Sequence, residues 1–281
     1  MAAVKGDALF RPERLRLIAA AIVVLNGFFP AAWILLTSFK PEVELVQKPI
    51  TYLPHDFTLQ NYVQVFRQQP LALYIANSAI VAAASTVLTL TVSACAAYAI
   101  ARLRLRYRDL ILSAIIASST FPLVTLLVPI FETMRALGIL NTYPALVLPY
   151  VVLSLPVCTL VLVSFFQSIP RDLENAAMID GATRFGALWR VVIPLAAPGV
   201  FTAGILAFVN SWDEFLLALS LNSAVRMRTL PVGVALYQGE FTFPWHIISA
   251  ALIVAIVPIA VLIALFQERV VGGLTAGGMK G

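Results

Sequence analysis

Charge is scarce in this chain. Only 12% of its 281 residues are Asp, Glu, Lys or Arg, about half of the roughly 25% usual in soluble domains. With 60% hydrophobic residues and a mean hydropathy of +0.92, it has too little polar surface for an ordinary soluble domain and belongs in a bilayer. Cysteine is nearly missing as well. Cys95 and Cys158 stand in separate apolar runs without metal-ligand spacing, so they read as small hydrophobes and imply no disulfide framework. The two histidines, His55 and His246, lie in or beside loops with no serine or cysteine motif nearby, which leaves nothing to support nucleophilic catalysis. The four lysines follow Val4, Phe39, Gln47 and Met279, and none closes a Gly-Lys-Ser/Thr turn. A phosphate-binding Walker loop is therefore excluded. The formal charge of +5 lies scattered beside apolar runs, with no basic stripe interleaved with aromatics, so nucleic acid is not an expected partner.

What the chain has in quantity is long apolar sequence. Six segments, near 16–38, 74–101, 110–131, 143–167, 196–221 and 247–267, are each long enough to cross a hydrocarbon core of about 30 Å, which takes roughly 20 helical residues. The expected fold class is all-α, a polytopic membrane protein with six transmembrane helices. The first segment follows Arg11, Arg14 and Arg16 and has no clear small-residue cleavage site, so it reads as a retained span. Pro122, Pro129, Pro149, Pro156 and Pro258 fall within these runs and are expected to kink helices rather than end them. The second segment is rich in Ala and Ser, a surface that lets backbones approach closely inside a bundle.

Orientation follows from the cations. With the amino terminus inside, the inner segments hold Lys5, Arg11, Arg14, Arg16, Arg102, Arg104, Arg106, Arg108, Arg171, Arg184, Arg190, Arg269 and Lys280, 13 in all. The outer segments hold Lys40, Lys48, Arg67, Arg135, Arg226 and Arg228, which is 6, while acidic residues divide seven and seven. By the positive-inside rule both termini are cytoplasmic. Residues 39–71 then form an extracytoplasmic loop that either touches another protein or merely connects. The outer loop 222–246 carries Glu240 and the aromatics Tyr237, Phe241, Phe243 and Trp245, some of which suit an interfacial belt.

The one long polar interruption that reads as folded is 168–198. Pro170 fits a first helical turn, Asp172 and Glu174 place negative charge at that helix's positive end, and Leu173, Ala176 and Ala177 recur at i, i+3, i+4. Gly181 supplies the stop. Thr183 can cap a second helix with Phe185, Leu188, Trp189 and Val192 on one stripe, and Pro194 ends it. Periodicity alone allows either a helix pair lying on the bilayer surface or a docking element for a soluble partner.

Apart from Arg16 at the edge of the first, five of the six spans lack charged residues, which argues against proton coupling. The fifth is interrupted by Asn-Ser-Trp-Asp-Glu-Phe at 210–215. Asp213 and Glu214 either mark a helix end, or Asn210, Trp212 and Asp213 face a water-filled cavity and bind a polar solute. Tyr98 and Asn77 of the second span are weaker candidates for that path, alongside a packing role.

These residues resemble the permease subunit of a binding-protein-dependent ABC importer, in the carbohydrate group typified by the smaller permease of the maltose system. The family's cytoplasmic signature is Glu-Ala-Ala, three residues, Gly, nine residues, then Ile-x-Leu-Pro; here Ala176 and Ala177 precede Gly181, and Val191, Ile193 and Pro194 occupy the closing positions. One residue departs. Asn175 stands where the family has glutamate and Glu174 falls one position earlier, a helical step of about 100° away. The family's ion pair to an ATPase arginine therefore does not carry over, although Asn175 can still hydrogen-bond. The 210–215 segment is similar to an Asn-x-Trp-Asn/Asp-Glu-Phe pattern of these permeases. The glycine-rich end resembles the tail that in the family reaches between ATPase subunits, where composition alone reads a disordered terminus.

The resemblance implies a permease core over 72–267 with coupling helices at 170–192, a cytoplasmic segment 1–15 and a tail 268–281. It implies ATPase coupling through Glu174, Asn175, Ala176, Ala177, Asp180, Gly181 and Pro194. It further implies a second permease as a heterodimeric partner, two ATP-binding cassette subunits that supply ATP and Mg, an extracytoplasmic solute-binding protein, and a bacterial or archaeal inner membrane. This chain itself would bind no cofactor and would be no enzyme. A di- or oligosaccharide is the expected cargo and glycerol phosphate the alternative. A secondary carrier or channel would need inverted repeats or buried ionisable groups.

Overall fold

The computed structural model describes residues 12–103, 105–239 and 242–278. Lys5, Arg11, Arg104, Glu240, Phe241 and Lys280 lie outside them, as do the side chains of Arg14 and Arg269. Every regular element among the described residues is helical.

One compact unit takes the described residues up to Gln69 together with Val234–Val254. Its first helix, α1 (Pro12–Ser38), carries Leu17, Val23, Leu25 and Phe28 fully outward, as a lipid-facing span does. Two short helices follow, α2 (Glu42–Val46) and α3 (Gln60–Gln68). Buried Asn61 donates to the carbonyls of Ser38 and Lys40, both at 2.9 Å, and the Ser38 and Tyr62 hydroxyls share a hydrogen bond of 2.7 Å. Glu44 accepts from the Thr51 hydroxyl at 2.6 Å and the His55 N–H at 3.0 Å. The segment after α1 is thus folded on its own buried polar groups, not a passive linker.

The second unit, Pro70–Gly233 with the chain from Ala255 onward, is built on three helices. These are α4 (Leu71–Arg102), the helix at Tyr143–Ser168 and the helix at Ala197–Asp213. After α4 come α5 (Arg108–Ser119) and α6 (Leu123–Ala136), then α7 (Tyr143–Ser168). Two short helices, α8 (Arg171–Ile179) and α9 (Arg184–Ala187), lead through a π turn, Leu188–Val192, into α10 (Ile193–Leu195) and then α11 (Ala197–Asp213). The chain continues as α12 (Leu216–Leu221), α13 (Leu230–Ala235) and α14 (Trp245–Gly278). α4 and α7 form the most extensive pair, and α11 packs on both. Small buried residues of α4, among them Ser78, Ala82, Ser85, Thr89 and Ala97, recur every three or four positions and let these backbones close up. Gly199 of α11 serves the same end, since a Cβ there would fall inside Phe165 of α7.

Among the described residues four helices are long and apolar enough to cross a membrane unbroken, and the number rises to as many as six if each of two bent pairs counts as one span. The bends correct the expected spans. α5 and α6 meet at 92°, so Pro122 divides the third run where a kink was expected. Proline has no N–H to continue the ladder, and the hydroxyls of Ser118, Ser119 and Thr120 each bond a carbonyl three residues back at 2.7 Å, closing α5. Pro149, Pro156 and Pro258 do sit inside continuous helices. The fifth run also divides: α11 ends at Asp213, and the chain turns 85° just before α11, at Ala196 rather than at Pro194. The widened π turn ahead of Pro194 makes room for its ring, so helical structure runs on to Leu195. α14 likewise continues as helix to Gly278, well beyond 267.

Candidate functional site

Two places in the second unit carry the sequence candidates. The first is the knuckle of α8 and α9. Gly181, at φ +92°, makes the turn between the helices, a left-handed conformation that glycine adopts without steric cost. The Thr183 hydroxyl accepts from the Gly186 N–H at 3.0 Å, capping α9 as expected. Leu188 and Val192 are buried, whereas Ile179 is 85% and Phe185 64% exposed, with Trp189 beside Phe185 at a ring separation of 6.0 Å. Asn175, Ala176, Asp180 and Gly181 are exposed and Ala177 is half-buried. The knuckle therefore presents an apolar patch rimmed by polar groups that the described residues do not cover.

Glu174 differs from its neighbours. It is the only buried residue of α8. Its carboxylate accepts from the Tyr98 hydroxyl and faces the Arg102 Nε at 3.3 Å, and Arg102 also donates to the Ile169 carbonyl at 2.9 Å. Tyr98 is thereby placed at the base of α4 against α8, apart from the residues of the 210–215 segment.

The second place is the concave face beside α11. Two neighbouring hollows, of about 540 and 580 Å³, share Asn210 in their walls. In the first, the Asn210 side-chain amide donates to the Ser154 hydroxyl at 3.2 Å, opposite Ser118, Ser119 and Phe121 of the α5–α6 break. Asp213 lines the second and is exposed. Their size falls within the roughly 300–1,000 Å³ of small-molecule sites. Hydroxyl and amide groups on an otherwise apolar wall can hydrogen-bond a polar solute.

The other candidates are placed elsewhere. Trp212, 3% exposed, stacks on Phe208 at 5.6 Å and lines neither hollow. Asn77 is buried and spends its amide on the carbonyls of Arg226 and Arg228, at 3.0 and 2.8 Å, while accepting from the Tyr143 hydroxyl at 2.8 Å. It pins the turn at 226–228 to α4. Glu214, weighed only as a helix end, does more than that. Its carboxylate accepts from the Tyr150 hydroxyl at 2.6 Å and from the N–H groups of Leu217 and Ala218 at 2.8 and 3.0 Å, capping α12 and tying it to α7. An acidic residue two positions ahead of a short apolar helix was the available signal.

Residues 89–275 match the family described as the binding-protein-dependent transport system inner membrane component. The chain is 69% identical to the sulfoquinovosyl glycerol transport system permease protein of Agrobacterium fabrum (strain C58 / ATCC 33970), over 98% of this chain and 96% of that protein. It is 37% identical to the trehalose/maltose transport system permease protein of Thermococcus litoralis, over 95% of this chain and 96% of that one. In fold it is similar to a chain of a bacterial ABC transporter involved in the import of the acidic polysaccharide alginate, with a TM-score of 0.80 at 22% identity, over 95% of this chain and 99% of that chain.

Proposed function

This chain belongs to the binding-protein-dependent transport system inner membrane component family, and from that premise we propose that it forms half of the solute pathway of an ATP-driven importer for a sugar glycoside. It is a multi-pass transport permease and not an enzyme. The observation that carries the reading is the uncovered apolar knuckle of α8 and α9, with Ile179 and Phe185 outward at the turn made by Gly181. An exposed patch of this kind on a chain without its own nucleotide site is a seat for a soluble motor. Two ATPase subunits holding ATP and Mg bind there, a second permease completes the pathway, and an extracytoplasmic solute-binding protein delivers cargo. Closure of the ATPase dimer moves the knuckle as a rigid body and reorients the spans. Both termini then face the cytoplasm, as the excess of inner cations requires.

The 69% identity to a sulfoquinovosyl glycerol permease favours a glycoside of that type as cargo. Asn210, Ser154 and Asp213 supply the polar wall it would pass. The test is uptake by the complete transporter in proteoliposomes with its binding protein, offered sulfoquinovosyl glycerol, trehalose, maltose and glycerol phosphate. Accumulation of a glycoside that depends on ATP is expected. Uptake of glycerol phosphate alone, or solute flux through the purified chain without ATPase, would overturn the reading.

A further inference from the structure

Resting on that reading, we propose that Glu174, Arg102 and Tyr98 form a latch that makes α8 a rigid extension of α4. In this arrangement Glu174 is a positioning residue within its own chain and not a contact for the ATPase. Glu174 is 7% and Arg102 9% exposed, so both charges are withdrawn from water and each is the other's compensation. The Arg102 Nε meets the carboxylate as a charge contact, while its Nη2 donates to the Ile169 carbonyl at the joint between α7 and α8. The Tyr98 hydroxyl, one turn earlier on α4, donates to the other carboxylate oxygen. The main neighbours of α8 are α9 and the π turn, so its link to α4 is made by side chains: these three, and Arg171 of α8, whose Nη2 donates to the Ala101 carbonyl at 3.5 Å.

The placement has a mechanical consequence. α4 is the helix on which α7 and α11 pack most extensively, and α11 carries Asn210. A push received on the exposed face of α8 therefore reaches the helix at the centre of the bundle through a buried charge pair, without first passing along the backbone of α9 to α11. Asn175, exposed on the next position, is left free to meet the partner.

The test measures ATP hydrolysed and glycoside moved in the same proteoliposomes, with the complete transporter carrying Glu174→Gln, Tyr98→Phe, or the exchange Glu174→Arg with Arg102→Glu. Glu174→Gln is expected to keep its ATPase partners on purification and to lower the glycoside moved per ATP by about tenfold, since one charge of a buried pair is left uncompensated. The exchange is expected to restore most of that ratio. Tyr98→Phe, which keeps the ring and its packing, is expected to lower the ratio less. An unchanged ratio in Glu174→Gln, or in Tyr98→Phe should the first variant fail to insert, overturns the latch. So does loss of the ATPase subunits from Glu174→Gln that the exchange does not repair, because Glu174 would then be a partner contact. Failure of the unaltered transporter to move any glycoside would instead sink the cargo reading above.

Discussion

Asn210 and Trp212 are two residues apart and lie in different environments, and substitution separates them. Asn210→Ala removes a polar group from a hollow wall and its bond to Ser154, so uptake is expected to fall while thermal stability in detergent changes little. Trp212→Ala empties a buried site beside Phe208, at a cost of about 3–5 kcal/mol. A lowered unfolding temperature and poor yield are its expected signature, measured by fluorescence-detected size exclusion after heating. Transport loss at wild-type stability would return Trp212 to the pathway. A third residue-scale expectation concerns pH. The Thr51 hydroxyl foremost holds the Glu44 carboxylate below the usual carboxylate range; burial pulls the other way, and the backbone N–H groups of His55 and Asp56 and the charge of Lys40 add to the lowering. A carboxylate whose folded value lies below its unfolded value of about 4.3 contributes stability that is complete above the unfolded value and is lost as pH falls through the folded one. Hydrogen exchange of the amides between 42 and 61 should therefore accelerate as pH falls below about 4, after correction for intrinsic rates, and Glu44→Gln should remove most of that dependence.

Helices α8 and α9 together form the element to which the proposed coupling is assigned. Deleting 171–182 takes away the turn at Gly181 and the exposed Ile179. Insertion should persist, because the spans are set by apolar length, while co-purification of the ATPase subunits should be lost. Retained co-purification would place the motor's seat elsewhere. The α5–α6 break belongs to the same scale. Its three hydroxyls bond the carbonyls of Ile115, Ile116 and Ala117 in the last turn of α5, and the side chains of Ser118 and Ser119 line the hollow beside Asn210.

Membrane orientation is a property of the entire chain. With 13 cations on one side and 6 on the other, the knuckle is expected inside. Asp180→Cys, at an exposed position, in a background with Cys95 and Cys158 replaced by serine, should react with a membrane-impermeant maleimide only in inside-out vesicles. Labelling in right-side-out vesicles alone would invert the topology and remove the knuckle from any cytoplasmic motor. The two units also differ in what holds them: buried polar bonds around Asn61 and Glu44 in one, close-packed small residues of α4 against α7 and α11 in the other.

The four unbroken spans, the turn at Gly181, the Thr183 cap and the cation bias were legible in the order of residues, because each depends on groups within a few positions of one another or on a count, whereas the breaks in the third and fifth runs were not. A bilayer requires every spanning backbone group to be bonded within its own segment, which writes such elements locally. What only the tertiary structure decided is which side of a helix meets which neighbour. Glu174 and Arg102 are far apart in sequence, and the rotation of α8 against α4 made them partners; the same kind of rotation buried Trp212, turned Asn210 to the hollow and faced Tyr98 toward Glu174. Helical periodicity gives the angles between side chains on one helix but not the angle at which that helix faces another. That angle is set by packing summed over the whole bundle.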